Sequence, residues 1–303
     1  MQIAATLAQQ VVVMFVLMGI GFLLRRKEIL GKQAAEDLGK LLVKLVLPAV
    51  IVQSFWSAAG DGRERDLLYA FAASALLLLL AMAVAHLMYP RRPVADFSTA
   101  FSNAGFIGIP LTRAVLGSEA VLCIAPFIAL LNVLQWTYGQ RLLSGEHGRI
   151  DIRSIMLSPM LVAMGLGLVL YCVSAPLPQL LDMILGDVSA LNSPLAMIVL
   201  GCYLAKSDVL SLLVTKSLYV VAVVRLLVIP LLSIAILLLL PGGAELKLSL
   251  LLAAAAPVGT NVAVFAQQNG SDYVYACGCV CLSTLLSLIT MPLTMAIASL
   301  TIG

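Results

Sequence analysis

Apolar residues follow one another along this chain in long stretches that short polar connections separate. A membrane-spanning helix needs about 20 predominantly apolar residues, and these stretches come close to that length. The seventh stretch is short, and its helix has room to begin earlier, within 183–190. The pattern predicts ten transmembrane helices, at 3–24, 38–58, 67–89, 97–116, 120–143, 155–174, 191–206, 217–240, 246–266 and 273–299.

The fourth and ninth of these stretches contain residues that disfavour a helix. Gly105, Gly108 and Pro110 occur close together in the fourth, and Pro257 and Gly259 occur in the ninth. Proline lacks a backbone N–H and its ring clashes with a carbonyl one turn back, while glycine adds backbone freedom. Unpaired backbone groups at membrane depth persist only against protein or around a wet cavity. We therefore predict two broken helices at one cavity, as in secondary transporters.

The composition of the chain indicates the same class of protein. Of the 303 residues, 62% are hydrophobic and 11% are charged, whereas soluble domains carry about 25% charged residues. The chain is therefore predicted to be an all-α integral membrane protein surrounded by the lipid bilayer. The net charge of +3 does not indicate nucleic-acid binding, because the basic residues fall in short clusters between apolar stretches. The first stretch begins at Ile3 without a preceding basic residue, which predicts an uncleaved helix rather than a signal peptide.

The basic residues are distributed unevenly among the connections. Those that follow odd-numbered helices hold twelve, and those that follow even-numbered helices hold three, namely Arg63, Arg65 and Lys247. Positive charge collects on the cytoplasmic side of a membrane. Both termini are therefore predicted to face outside, and the connection 144–154 is predicted to be cytoplasmic.

The two halves of the chain share an ordered set of features. Pro48 and Pro110 are 62 residues apart, and Pro194 and Pro257 are 63 residues apart. Five helices in each half, an odd number, would invert the second half relative to the first. The predicted organisation is two inverted five-helix repeats joined by a short loop, at 1–143, 144–154 and 155–303.

Several motifs occur in a characteristic order over nearly the whole chain. They are GIGFLLRRKEIL, LVKLVLPAVIVQSF, FSNAGFIGIPLTRAVLGSEA, NVLQWTYG, SPLAMIVLGCYLA, RLLVIPLL, AAPVGTNVAVFAQQNG and LSTLLSLITMPL. In these motifs the chain resembles the auxin efflux carrier family, which includes bacterial malonate- and malate-permease-like members. The resemblance implies a fold similar to that of the bile-acid/sodium symporters, with scaffold and transport domains each drawn from both repeats. It implies that helices 4 and 9 are broken and cross at mid-membrane.

The same resemblance suggests the membrane in which the protein lies and one substrate that it does not transport. A bacterial member of the family would lie in the cytoplasmic (inner) membrane. The resemblance is also compatible with a homodimer formed through the scaffold helices. Plant members of the family that this chain resembles have a proline directly before the helix-4 asparagine, whereas this chain has Ser102 there. Many of them also have a large cytoplasmic loop, whereas this chain has only the short segment SGEHGRIDIRS. Auxin itself is therefore a poor candidate substrate.

Polar residues at the two predicted breaks are the main candidates for a binding site. The amides of Asn103 and Asn261 could bind a carboxylate or replace water on a cation. Helix halves that begin at the breaks would present N–H groups that favour an anion. The alternative is that each amide only ties off backbone groups freed by its break. The predicted substrate-binding residues are Ser102, Asn103, Gly105, Arg113, Asn132, Gln135, Pro257, Gly259, Thr260 and Asn261.

Other polar residues in the predicted spans leave alternatives open. Arg113 could pair with a substrate carboxylate or reach the outer headgroups. Asn132 and Gln135, three apart on one helix face, could wall the cavity or join helices. Arg225 lies deeper, and a structural role between helices is favoured. His86 could change charge near neutral pH, but its position near the inner interface argues against a proton relay.

Acidic and metal-binding chemistry is sparse. No carboxylate lies in the middle of a predicted span, so the sequence offers no candidate for a buried proton-carrying acid. The CGCVC run at 277–281 favours packing over metal binding. No phosphate-binding loop, metal motif or nucleophile elbow is recognisable, so neither an enzyme nor a cofactor or metal site is predicted.

These features together predict a secondary transporter. Its substrate would be a small organic anion, a mono- or dicarboxylate such as malonate or malate. It would work by alternating access at the helix 4/helix 9 crossover, with H⁺ or Na⁺ as the coupling ion. The alternative is an intramembrane sensor on the same fold that binds a ligand without transporting it.

Overall fold

The protein is described here by a computed structural model that covers residues 2–57, 59, 62–144, 153, 156–174, 177–205 and 214–302. These residues are almost entirely helical. In chain order the helices are α1 (Gln2–Arg26), α2 (Lys32–Ser57), α3 (Glu64–Met88), α4a (Pro93–Ala100), α4b (Ala104–Leu116), α5 (Val121–Ser144), α6 (Pro159–Val173), α7 (Gln179–Leu204), α8 (Lys216–Leu239), α9a (Ala244–Ala255), α9b (Asn261–Gln268) and α10 (Tyr273–Thr301).

The helices agree with an integral membrane protein. Within the described residues, six of them are long and apolar enough to cross a membrane: α2, α3, α5, α7, α8 and α10. Helices α4b and α6 are apolar but shorter. Helix α7 begins before the predicted start at 191 and turns at Leu191, so the short seventh stretch is part of a longer helix. The predicted loop 144–154 lies outside the described residues, apart from residues 144 and 153.

Helices α2, α4b and α8 each contain a π-helical turn just before a proline. The three turns and their prolines are Leu42–Val46 with Pro48, Ala104–Gly108 with Pro110, and Val224–Val228 with Pro230. In each case the residue before the proline donates its N–H to the carbonyl five positions earlier, as Ile109 does to Ala104. An α-helical carbonyl would clash with the proline ring, and the wider turn relieves that clash. These prolines therefore do not end their helices.

This accommodation corrects the predicted position of the first break. The sequence predicts that Gly105, Gly108 and Pro110 interrupt the fourth helix, but all three lie inside α4b. The chain leaves helical geometry earlier, at 101–103. The second break lies at 256–260, around the Pro257 that predicted it.

Close helix packing surrounds the two broken helices. Gly21 of α1 lies against the backbone of Ile198 in α7, and Gly201 of α7 lies against the backbone of Met18 in α1, so closely that a Cβ on either glycine would clash. Small residues allow this approach between membrane helices. Helices α3, α5, α8 and α10 pack against α4a and α9a. Both breaks therefore lie in the interior, and every described residue from Phe97 to Ala104 is buried.

Candidate functional site

The two breaks pair with each other where four helix ends meet. The N–H of Asn103 donates to the carbonyl of Pro257 at 2.7 Å, and the N–H of Gly259 donates to the carbonyl of Phe101 at 3.0 Å. Each break thus satisfies backbone groups that the other exposes, as the interior of a membrane protein requires. Helices α4a and α9a end at this crossover, and α4b and α9b begin there.

A glycine permits the close approach of the two backbones. Ser102 and Val258 form an isolated antiparallel β-bridge. A Cβ at Gly259 would lie 3.0 Å from the carbonyl oxygen of Ser102, which is tighter than most side-chain contacts and would require the neighbouring backbone to shift by a few tenths of an ångström. On the other flank, Ser283 of α10 accepts from the N–H of Val258 at 3.1 Å. The absence of a side chain at 259 therefore favours the close pairing of the two breaks.

Arg225 of α8 binds the ends of both helices that stop at the crossover. Its side chain is buried, and its Nε donates to the carbonyl of Ala256 at 3.1 Å. Its Nη1 donates to the carbonyls of Thr99 at 3.2 Å and Ala100 at 3.3 Å, and its Nη2 donates to the carbonyl of Ala254. The last carbonyls of a helix lack intrahelical partners and carry partial negative charge. Arg225 therefore has the structural role between helices that the sequence favoured.

A cavity lies at the crossover, where the first turns of α4b and α9b face α2, α5 and α6. Its empty volume is about 430 Å³, its open mouth included. The lining residues are Val43, Leu47, Ser102, Asn103, Gly105, Phe106, Ile128, Leu131, Asn132, Gln135, Met160, Gly259, Thr260 and Asn261.

The structure brings most of the predicted site residues to this one cavity. Eight of the ten line it: Ser102, Asn103, Gly105, Asn132, Gln135, Gly259, Thr260 and Asn261. They come from three helices that are far apart in sequence. The pairing of the two breaks is what places them together.

Three polar atoms that belong to residues of the cavity wall are buried and have no protein partner among the described residues. They are Nδ2 of Asn103, Nε2 of Gln135 and Oγ of Ser102, and these residues are 5%, 1% and 2% exposed, respectively. A buried donor without an acceptor costs roughly 1–3 kcal/mol. The lining residues include no aspartate or glutamate. With two helix N-termini at the same place, the wall is suited to an acceptor with negative charge.

The other amides of the wall are partly engaged. Nδ2 of Asn261 donates to Oε1 of Gln135 at 2.8 Å and so joins α9b to α5. Nδ2 of Asn132 donates to the carbonyl of Ile128 in its own helix at 2.8 Å. Gln135 thus joins two helices and also lines the cavity, so both alternatives that the sequence left open apply to it.

Arg113 and Pro257, the other two predicted site residues, do not line this cavity. Arg113 belongs to the far half of α4b, where its Nη2 donates to Oε1 of Gln53 on α2 at 3.4 Å. Nε2 of Gln53 donates in turn to Oδ1 of Asp182 on α7 at 3.1 Å. Pro257 contributes its carbonyl to Asn103 rather than a surface to the cavity.

The sequence did not identify the apolar part of the wall. These residues are Val43, Leu47, Phe106, Ile128, Leu131 and Met160. In the sequence they resemble any other apolar residue of a span. For Val43 and Leu47 the sequence does contain a signal, namely Pro48. The π-helical turn that precedes this proline shifts the helix face that α2 presents.

A buried acid also escaped the sequence analysis, which expected none. Asp96 lies in α4a and is 0% exposed. Its carboxylate is bound by His86 of α3 and Tyr138 of α5. The short helix α4a begins at Pro93, before the apolar stretch does, and that places Asp96 in the interior.

Comparison with known proteins gives two matches along the chain. The family described as "Membrane transport protein" matches residues 6–295. An uncharacterized transporter of Methanothermobacter thermautotrophicus is 30% identical over 297 residues, which cover 94% of this chain and 96% of that protein. Both matches extend across the two breaks and the cavity residues.

Proposed function

This chain belongs to the membrane transport protein family, which is auxin efflux carrier-like, and from that premise we propose that it is a secondary transporter for a small organic anion. The proposed substrate is a mono- or dicarboxylate such as malonate or malate. The family is one of membrane transporters rather than enzymes, so the cavity at the crossover is a binding site for cargo.

The observation that supports this proposal is the convergence of unpaired donors. Asn103, Gln135 and Ser102 hold donors that find no acceptor among the described residues, and α4b and α9b begin at the same cavity. A carboxylate can accept several hydrogen bonds at once, and bonds to a charged acceptor are about twice as strong as neutral ones. Because the lining residues carry no acidic group, nothing in the wall repels an anion.

The proposed architecture is ten transmembrane helices in two inverted repeats, 1–143 and 155–303, with both termini outside the cytoplasmic membrane. The antiparallel pairing of the two breaks supports it, because inverted repeats bring equivalent broken helices together at a pseudo-twofold axis. In this arrangement α1, α2, α6 and α7 form most of the scaffold. Helices α4 and α9 belong to the part that moves.

Alternating access then requires contacts that break when the moving part shifts. One such contact joins Arg113 of α4b, in the proposed moving part, to Gln53 of α2, in the proposed scaffold. Gln53 also contacts Asp182 of α7, which belongs to the scaffold as well. The N···O distance of 3.4 Å between Arg113 and Gln53 marks a weak bond. Such a link favours one conformation without locking it.

Uptake by proteoliposomes tests the proposed function. The purified protein is reconstituted, and radiolabelled malonate, malate, succinate and acetate are each offered with and without proton and sodium gradients. The proposal expects saturable uptake of at least one carboxylate, absent from empty liposomes. Saturable binding in detergent without flux in liposomes would instead favour the sensor. If no carboxylate shows either binding or flux, the proposed organic-anion site is contradicted.

A further inference from the structure

Asp96 is a fully buried carboxylate beside the crossover. Its side chain is 1% exposed, and it lies in α4a, one turn before the break. The hydroxyl of Tyr138 donates to its two oxygens at 3.2 and 3.4 Å, and Nδ1 of His86 lies 3.2 Å from Oδ2. Asp96 does not line the proposed binding cavity, so direct contact with the substrate does not account for a carboxylate at this buried position.

Two opposing effects act on this carboxylate. Burial favours the neutral acid, because a charged group loses its hydration. The hydrogen bonds from Tyr138 and His86 favour the carboxylate. Intramembrane acids are costly and tend to mark proton pathways. A proton-binding group in a transporter must be able to adopt both the protonated and the ionised state, and these opposing effects keep both states accessible to Asp96.

The neighbouring helices bring few other ionisable groups to Asp96. Those packed against α4a are α3, α5, α8, α9b and α10. The ionisable residues on these helices and at their ends include His86, Tyr89, Tyr138, Arg141, Lys216, Tyr219, Arg225, Tyr275, Cys279 and Cys281, with Arg92 preceding α4a and Asp272 preceding α10. Among the described residues, His86 and Tyr138 are the ones that reach the carboxylate. Arg225 is held by the helix-end carbonyls instead.

Asp96 is connected both to the surface and to the crossover. The side chain of His86 is 60% exposed, at the end of α3 that precedes the predicted cytoplasmic Arg91 and Arg92. Tyr138 lies in the same π-helical turn of α5 as the cavity residue Gln135. Along the axis of α4a, Asp96 is about 8 Å from Phe101, where the break begins. The arrangement joins the surface, the acid and the cavity within a short distance.

We propose that Asp96 is the proton-binding site of this protein and that it couples one proton to the transport of each anion, with His86 as the route to the cytoplasmic side. This inference rests on the proposed function. In the step, one proton adds to a carboxylate oxygen of Asp96 and later leaves through the imidazole of His86. No other bond forms or breaks, and no electrons are transferred.

Electrostatics supplies the coupling. A carboxylate at roughly 10 Å from a bound anion, with an effective dielectric constant of about 20, weakens anion binding by roughly tenfold. Protonation of Asp96 removes that repulsion. By linkage the anion favours proton binding by the same factor. Proton and anion therefore bind together, which gives symport.

Infrared difference spectroscopy tests proton binding without any substrate. Acidification of the wild-type protein from mildly alkaline to mildly acidic conditions should produce a carboxylic-acid C=O band that Asp96→Asn lacks. The control Asp37→Asn removes an exposed carboxylate that pairs with Lys40, and it should keep the band. An unchanged band in Asp96→Asn overturns the proposal.

Transport separates this inference from the proposed function. With malonate as the probe, Asp96→Asn should keep exchange of internal for external malonate at equal pH but lose the accumulation that a proton gradient drives. The Asp37→Asn control should keep both. Absence of exchange in the wild-type protein for malonate and the other carboxylates defeats the proposed function and this inference with it. Gradient-driven accumulation that persists in Asp96→Asn defeats only the role of Asp96.

A milder variant covers the case in which Asp96→Asn does not fold. Tyr138→Phe keeps the ring and removes a donor to the carboxylate, so the proton is held more tightly. The midpoint of pH-dependent malonate uptake, and of the infrared band, should move to higher pH by roughly one unit. No movement, or movement to lower pH, overturns the proposal.

Discussion

The backbone N–H of Asn103 donates to the carbonyl of Pro257 at 2.7 Å, and this bond joins two helices whose breaks are more than 150 residues apart in the chain. The bond is one of a pair that aligns the two breaks as antiparallel backbone. The first turns of α4b and α9b consequently begin side by side. The cavity exists because of this alignment, so substitutions that disturb the crossover test the fold and the site together.

Replacement of Arg225 tests the stabilisation of the crossover. Arg225→Met removes a cation that binds the carbonyls of four residues, Thr99, Ala100, Ala254 and Ala256, and leaves those groups buried and unpaired. We expect a loss of roughly 3 kcal/mol, seen as a clearly lower unfolding temperature in detergent. Arg91→Met, at an exposed position, is the control and should unfold like the wild type. Equal unfolding temperatures for the two variants would contradict the role of Arg225.

Replacement of Gly259 tests the close approach of the breaks. Gly259→Ala places a Cβ against the carbonyl oxygen of Ser102, so the two backbones must move apart by a few tenths of an ångström. We expect both a lower unfolding temperature and weaker substrate binding. Gly165→Ala in α6 is the control, because its Cβ meets no atom within 4 Å and alanine favours a helix. The account fails here if Gly259→Ala is as stable as Gly165→Ala.

The sequence was sufficient to predict an all-helical membrane protein and eight residues that line one cavity. Apolar length located the helical stretches, because a bilayer sets that length. Pro257 and Gly259 predicted the second break correctly, and the polar residues beside both breaks line one cavity. These features depend on the local sequence alone.

Other features depend on partners that the sequence does not display. The first break was placed too late, because a π-helical turn absorbs Pro110 within α4b. Asp96 looked like a residue near a helix end, yet the side chains of α3 and α5 bury it. Arg113 and Arg225 are both single arginines in apolar stretches. Only the packing shows that Arg225 binds the crossover while Arg113 contacts α2.

A double-mutant cycle tests the amide pair that joins α9b to α5. Nδ2 of Asn261 and Oε1 of Gln135 are 2.8 Å apart, so Asn261→Ala and Gln135→Ala should not have additive effects on substrate affinity. An interaction free energy of about 0.5–3 kcal/mol is expected for residues in contact. Asn261→Ala combined with Thr112→Ala, which lies outside the cavity wall, should be additive. Additive effects in both cycles would show that the amide pair is not formed in the functional protein.

Reporter fusions test the proposed orientation. Alkaline phosphatase fused after Gly303 should be active, since the basic residues predict an outside C-terminus. The same reporter inserted in 144–154 should be inactive. A fluorescent protein that folds only in the cytoplasm should give the reverse pattern. An inactive phosphatase and a fluorescent C-terminal fusion would overturn the orientation and, with it, the cytoplasmic side assigned to His86.

The most direct test of the central claim, that the crossover cavity binds an organic anion, is the substrate affinity of Asn103→Ala, measured with its unfolding temperature on the same purified protein. The wild type is first used to choose the carboxylate that binds. Hydrogen bonds to charged groups contribute about 1.5–3 kcal/mol, so the variant should bind roughly ten- to a hundredfold more weakly. Its unfolding temperature should stay close to that of Thr112→Ala, a buried control in α4b, the helix that begins directly after Asn103. Unchanged affinity with a sharply lowered unfolding temperature would show that Asn103 only ties the backbone and would contradict the claim.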